Sequence, residues 1–256
     1  PIFIYRTNFH AALSGQWILL LTLYLGLTHK VNKEKLSWTF LIILSSLINF
    51  YFTAMIVLVY SLLRIFDLKF EKENYYILIR DFFIIAPLLL LILYVVGYFE
   101  IRMPDTLGVG FAYHKLNLLS IFDPVNSIYS ISWSWFLPDI KLFPGEEVEG
   151  FNYFGLGQIM LVLFAFFLFL NKNYNTNLVS IKNNKEIKIF FIISLFLTFW
   201  ALSNKISLGP YTLEIPLHKY IFGVLSIVKS TGRMFWIVNY LLLILSLVII
   251  FKCFDK

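Results

Sequence analysis

Arg233 stands in the stretch STGRMFW, directly before the apolar run IVNYLLLILSLVIIF. A guanidinium grips a phosphate through parallel N–H donors. Ser230, Thr231 and Gly232 fall where the apolar run would begin as a helix. A helix start carries free N–H groups and partial positive charge, and anions settle there. Lys229 lies one turn earlier. The chemistry this spacing supports is capture of a phosphate group at a membrane surface. The plainer alternative is an interfacial arginine that snorkels into the headgroups.

A second group sits in FPGEEVEGFNYFGLG, where Glu146, Glu147 and Glu149 crowd behind the Pro144-Gly145 turn. Like charges this close repel unless solvent, an arginine or a divalent ion lies between them. Glu149 runs at once into Gly150, Phe151, Tyr153 and Phe154, residue types that belong at a membrane interface. It is the candidate to orient an acceptor hydroxyl or a divalent ion. Gly155 and Gly157 then lead into a span, where small residues let helices approach. Upstream, YSISWSWFLP alternates Ile131, Trp133 and Trp135 with serines, a period of two that predicts an extended strip with one aromatic face. Such a strip lies along headgroups or walls a groove for a lipid or sugar. His10, His29, His114 and His218 have no metal-ligand spacing. GVGFAYHKLN lacks the third glycine of a nucleotide loop, and no P-loop or nucleophile elbow occurs. No cofactor is implied beyond a divalent ion at the glutamates.

These residues need elements to hold them, and the composition says which. The chain has 256 residues, 59% hydrophobic and only 14% charged. Soluble domains run about 45–50% apolar and about 25% charged. The long Leu/Ile/Phe runs predict an all-α, polytopic transmembrane bundle. Hydrophobic segments lie at 11–28, 38–66, 77–98, 153–170, 188–203 and 234–251. A span needs about 20 residues, so 38–66 is too long for one straight helix. It breaks near Asn49 into a tight hairpin, giving six or seven helices. Gln16, Asn49 and Asn239 are polar positions in apolar runs, read as helix–helix hydrogen bonders. Arg80 and Asp81 are adjacent, and adjacent residues on a helix do not face one another. That pair reads as interfacial, not buried.

Charge sets the orientation. The loops beginning near residues 29, 67, 171 and 252, with the adjoining helix ends, hold 13 of the 21 cations and 7 of the 15 acids, hence the whole net charge of +6. By the positive-inside tendency that side is cytoplasmic, and the net charge is no nucleic-acid signal. The loops 99–152 and 204–233 then share the opposite, periplasmic face of a bacterial inner membrane. Both are long and rich in Gly, Pro and aromatics, and long ordered loops are usually functional. Cys253 is alone, so no internal disulfide forms. The chain opens on Pro1 without signal-peptide features and reads as a single membrane domain, 1–256, forming the C-terminal part of a longer protein.

GVGFAYHKLNLLSIFDP, WSWFLP, EGFNYFGLG, ALSNKISLG and LSIVKSTGRMFW occur in an order that resembles a family of bacterial polytopic membrane proteins of unassigned biochemistry, related to the GT-C glycosyltransferases. The matching positions in the first long loop are Gly110, Phe111, Asn117, Ser120, Pro124, Trp133 and Pro138, then Glu149, Gly150, Tyr153, Gly155 and Gly157. Later come Ser203, Asn204, Ser230, Gly232, Arg233 and Trp236. His10 and Trp17 resemble the family's first motif. Trp135 departs from it, standing where a polar or basic residue is usual. The resemblance implies a GT-C-like layout with an outer-face site for a polyprenyl-phosphate sugar. It also implies a catalytic carboxylate in an earlier outer loop that this chain begins after.

The resulting expectation is a glycosyltransferase fragment with membrane lipid and a lipid-linked sugar as partners. Arg233, Ser230, Gly232 and Lys229 would take donor phosphate. Trp133, Tyr153, Asn204 and His10 would line the substrate groove, and Glu149 would serve the acceptor. The rivals are a transporter or flippase for a lipid-linked glycan, and a scaffold of an envelope assembly. A transporter would place ionisable residues within the membrane, facing a cavity. The sequence shows almost none at mid-depth.

Overall fold

The computed structural model describes residues 2–4, 11–28, 35–70, 75–100, 111–126, 131–142, 151–171, 174 and 178–254. The protein is mostly helical. A 3₁₀ turn at Ala11–Ser14 precedes α1 (Trp17–Thr28), then come α2 (Lys35–Ile48), α3 (Phe50–Phe70) and α4 (Tyr75–Val95). After the first long loop follow α5 (Leu156–Leu170), α6 (Val179–Asn183) and α7 (Lys185–Leu202). The second long loop carries α8 (Lys219–Leu225) and a 3₁₀ turn at Thr231–Met234, which runs into α9 (Phe235–Phe254). The stretches Ala11–Thr28, Phe50–Asp67, Leu78–Val95 and Thr231–Phe254 are long and apolar enough to cross a membrane, and α2 and α5 are shorter apolar helices.

The long segment does break at Asn49. Tyr51 N–H donates to Asn49 Oδ1 (3.0 Å), so this asparagine caps α3, and among the described residues its side chain bridges no second helix, where the sequence suggested a bridge. The two arms then run antiparallel. Ser45 Oγ lies 3.2 Å from Thr53 Oγ1, and further down the Trp38 and Tyr60 rings sit 5.4 Å apart. Gln16 and Asn239 do tie helices together. Tyr240 OH donates to Gln16 Oε1 at 2.5 Å, and Gln158 Nε2 to Asn239 Oδ1 at 2.5 Å. Asn184 caps α7 by accepting from Ile187 N–H at 2.7 Å.

The larger core cluster among the described residues draws on α1, α2, α3, α7 and α9, with the fully buried Trp38, Phe52, Phe190 and Trp236, and a smaller one gathers Leu168, Leu178, Ile181 and Cys253. Helices α1 and α7 touch at Gly26, where an added Cβ would come within 2.5 Å of Phe190 Cζ. Gly157 does not act this way: nothing lies within 4 Å of its Cβ position. Gly155 serves the backbone instead, holding φ 86 at the start of α5. Helix α4 is peripheral, with 11% of Leu78–Val95 buried against 44% of each of the other three spans. Its exposed face is Phe82, Phe83, Ile84, Leu90 and Leu91, and α5 and α7 present Phe164, Phe166, Phe191 and Phe199 outward. A continuous apolar exterior of this size suits a hydrocarbon surrounding.

Two short hairpins interrupt the helical plan. β1 (Val125–Asn126) pairs with β2 (Ile131–Ser132), and β3 (Lys205–Leu208) pairs with β4 (Tyr211–Glu214) around Gly209-Pro210. The contacts define two ends. Gly26, Leu63 and Phe190 meet towards the lysine-rich end. Phe52 meets Trp236, and Phe154 meets Phe235, towards the end that carries the long loops.

Candidate functional site

At the loop end the two long loops lock together through one short segment. Leu116 N–H donates to Ala201 O (2.8 Å) and Leu118 N–H to Ser207 O (3.0 Å). Between them, the Asn117 side-chain amide clamps Gly209 from both sides: Nδ2 donates to its carbonyl at 2.8 Å and Oδ1 accepts from its N–H at 2.9 Å, while Oδ1 also accepts from Leu119 N–H at 3.0 Å. Lys115 is fully buried and donates to Ser207 Oγ. Burial, and then the charge of Lys205, push its amine down to about 8.

This frame holds the Arg233 turn. Gly232 N–H donates to His114 O (3.1 Å), Asn152 Nδ2 to Gly232 O (3.2 Å) and Thr231 Oγ1 to Ala201 O (3.2 Å). Ser230 N–H donates to Tyr51 OH at 3.1 Å. Arg233 is 6% exposed, and its guanidinium lies over the Tyr51 ring, 4.1 Å from the centroid. It therefore does not snorkel. The open helix start expected from the sequence is also absent at these positions, because the Ser230, Gly232 and Arg233 amides already donate to Tyr51, His114 and Ser230. Any anion held here meets the guanidinium, not a row of peptide N–H groups. Lys229 is half-buried at the rim of the same turn.

Tyr153 is 1% exposed, with its ring 6.4 Å from that of Phe151, and its hydroxyl has no hydrogen-bond partner among the described residues. Trp133 packs against the core while Trp135 is 97% exposed, so the predicted single aromatic face does not form. The extended strip stops at Ser132. Beyond it Ser132 Oγ donates to Ser134 O (2.9 Å) and Phe136 N–H to Ser134 Oγ (3.2 Å), local turns that rotate Trp135 outward. His10 and Glu149, with Glu146 and Glu147, lie outside the described residues. Among the described residues no group of three or more His, Cys, Asp or Glu is placed to hold a metal ion.

Beside the Arg233 turn opens an apolar cavity of about 320 Å³, lined by Phe111, Phe196, Phe199, Trp200, Ser203, Asn204, Ile215, Leu217 and Leu225. Asn204 shapes it by pinning the second loop: Nδ2 donates to Ile215 O at 3.1 Å, and Ile215 N–H to Asn204 O at 2.7 Å. Its Oδ1 is buried with no hydrogen-bond partner among the described residues. Ser203 on the wall holds φ 56 and ψ −158, and Ala112, next to Phe111, holds φ 63. Non-glycine residues in such conformations cost about 1–3 kcal/mol each and cluster at ligand sites.

A second polar cluster lies at the lysine-rich end, and the sequence reading missed it. Asp81 is buried, not interfacial. Arg64 of α3, fully buried, reaches its Oδ2 at 3.3 Å, and Tyr60 OH donates to the same oxygen at 3.2 Å. Arg80 meets Oδ1 at 3.1 Å and Lys35 Nζ lies 3.6 Å from it. The adjacent pair does touch, because the long Arg80 side chain folds back while Asp81 turns inward to Arg64. The signal was Arg64 itself, a cation inside the apolar run VYSLLRIF.

No curated protein and no solved structure matches this chain. The model of DUF6311, a domain of unknown function, matches residues 1–256, and the chain belongs to that family.

Proposed function

We propose that this chain is the donor-binding part of an integral membrane glycosyltransferase of GT-C-like plan. It takes a polyprenyl-phosphate-linked sugar at the loop end, on the periplasmic face of a bacterial inner membrane. One observation carries the reading: an apolar cavity with a buried acceptor, Asn204 Oδ1, on its wall shares the loop end with the buried Arg233, which stands on the neighbouring turn and does not itself line the cavity. The two are joined through α7, whose Ala201 carbonyl accepts from Thr231. The prenyl chain lies against Phe196 and Phe199, the donor phosphate meets Arg233, and Asn204 takes a sugar hydroxyl.

The reaction is displacement at the anomeric carbon. The acceptor oxygen forms the new bond to that carbon, and polyprenyl phosphate leaves with the electron pair of the old one. A carboxylate base takes the acceptor's proton. Glu149, which lies outside the described residues, is the proposed partner of the acceptor or of a divalent ion. A second reading, transport of a lipid-linked glycan, is favoured by the buried Arg64–Asp81 pair, since ionisable groups inside a helical bundle mark transport paths.

The test reconstitutes the full-length protein that carries this chain with radiolabelled polyprenyl-phosphate hexoses. Arg233→Ala is expected to lower transfer by about 10²-fold with helicity unchanged. Should that variant not fold, Asn204→Ala is expected to weaken donor binding. Lipid scrambling without transfer would point to the transporter, and neither activity to a scaffold.

A further inference from the structure

Two cavities open on either side of Asp81, far from the loop end. One, of about 400 Å³, is lined by Lys35, Thr39, Tyr60, Arg80, Asp81 and Ile84, among others. The other, of about 420 Å³, runs between the α2–α3 hairpin and α4, along Ile42, Val57, Ile65, Leu78, Phe82 and Leu89. Tyr60, Asp81 and Ile85 belong to both, so a polar mouth leads into an apolar groove.

Among the described residues the charges at the mouth do not balance. Three cations, Arg64, Lys35 and Arg80, lie within 4.0 Å of the Asp81 carboxylate, and Asp67 lies 3.7 Å from Arg64. Arg64 is fully buried between the two carboxylates, whereas the side chains of Lys35 and Arg80 are 32% and 53% exposed. The net positive charge therefore faces outward through these two, at the edge of an apolar slot. An anion is attracted there, and a hydrocarbon tail attached to it finds a lined groove. A choline headgroup would bring its ammonium against Lys35 and Arg80 and gains less.

We infer that the Lys35–Arg80–Asp81 mouth and the groove behind it form a binding site for one anionic glycerophospholipid, its phosphodiester between Lys35 and Arg80 and an acyl chain between α3 and α4. Basic pockets between membrane helices hold anionic headgroups by this chemistry. The site is separate from the loop-end cavity and stands whether or not the chain transfers sugar.

The experiment is native mass spectrometry of the delipidated full chain in detergent, offered phosphatidylglycerol or phosphatidylcholine of matched acyl chains. Retention of phosphatidylglycerol is expected to exceed that of phosphatidylcholine by about 30-fold, the scale set by two basic side chains at a membrane surface. In Lys35→Gln/Arg80→Gln the preference disappears. Ala86 lines the groove and not the mouth, so in Ala86→Phe phosphatidylglycerol retention falls while the mouth is untouched. If the double variant loses its monodisperse elution, Ala86→Phe decides alone. Equal retention of both lipids by the wild type overturns the inference. So does an unchanged retention in a folded variant, or full displacement of phosphatidylglycerol by inorganic phosphate, which would make this a free-phosphate site.

Discussion

The Arg233 guanidinium lies 4.1 Å from the centre of the Tyr51 ring, 182 positions earlier in the chain. The Asn49 cap makes this possible, because it starts α3 where Tyr51 points at the turn before α9. The ring stabilises the cation and the hydroxyl accepts the Ser230 N–H. Tyr51→Phe removes only the acceptor and is expected to cost about 1 kcal/mol. Tyr51→Leu removes the ring as well and costs about 2 kcal/mol or more. Chemical denaturation in detergent measures both, and an equal cost would mean the ring contributes nothing.

The buried Arg64–Asp81 pair predicts a non-additive result. Asp81→Asn leaves a buried guanidinium short of its partner and is expected to cost about 3–5 kcal/mol. Arg64→Met/Asp81→Leu removes both charges and recovers most of that loss. A double variant less stable than Asp81→Asn would mean that the pair itself stabilises the fold.

The spans were legible because each is a long apolar run. The break at Asn49 showed as one polar residue in a stretch too long to cross once. Grouping of the lysine loops on one side followed from charge counting, and the described contacts bring those helix ends together. What was hidden is contact between distant stretches. Nothing near Tyr51 announces Arg233, and nothing near Asp81 announces Arg64, because neither pair shares a local period. The serines between the tryptophans misled for a physical reason: their hydroxyls bind nearby backbone and turn an alternating pattern into bends. The β3–β4 hairpin showed both its Gly-Pro turn and an alternating pattern in KISL and YTLE, but strands of four residues are too short for that pattern to stand out.

Lys115 makes stability depend on pH at the alkaline side. Its folded value is about 8, against an ordinary 10.5. Between those values the unfolded chain holds a proton that the folded chain has shed. This group therefore makes the protein more stable as pH rises from about 8 to 10.5, and adds no slope below 8. Lys115→Met is expected to remove that rise, read from unfolding midpoints across the range. A midpoint profile identical to wild type would refute the assignment.

Ser203 stores backbone strain on the cavity wall. Ser203→Gly relieves φ 56 and is expected to raise stability by about 1 kcal/mol. Ser203→Val should lower it, since a β-branched residue tolerates that conformation poorly. Thermal unfolding of the two variants beside wild type gives the order.

Gly26 sits against Phe190, where α1 and α7 touch. Gly26→Ala is expected to cost about 1–3 kcal/mol by pushing on Phe190. Phe190→Leu in the same chain should restore part of the loss. Gly157→Ala, with open space around it, should be neutral or better. The contrast between the two glycines is the measurement that matters.

The Asn117 clamp on Gly209 joins residues 92 positions apart. A ribosome adding about 5–20 residues each second needs roughly 5–20 s to pass from one to the other. For that interval the first long loop has been made but has nothing to grip. Its Lys115 amine and Asn117 amide stay in water until α7 and the hairpin behind it emerge. Maturation of this face is therefore a late event in biogenesis, and a nascent chain arrested between α6 and α7 would display that loop open to protease.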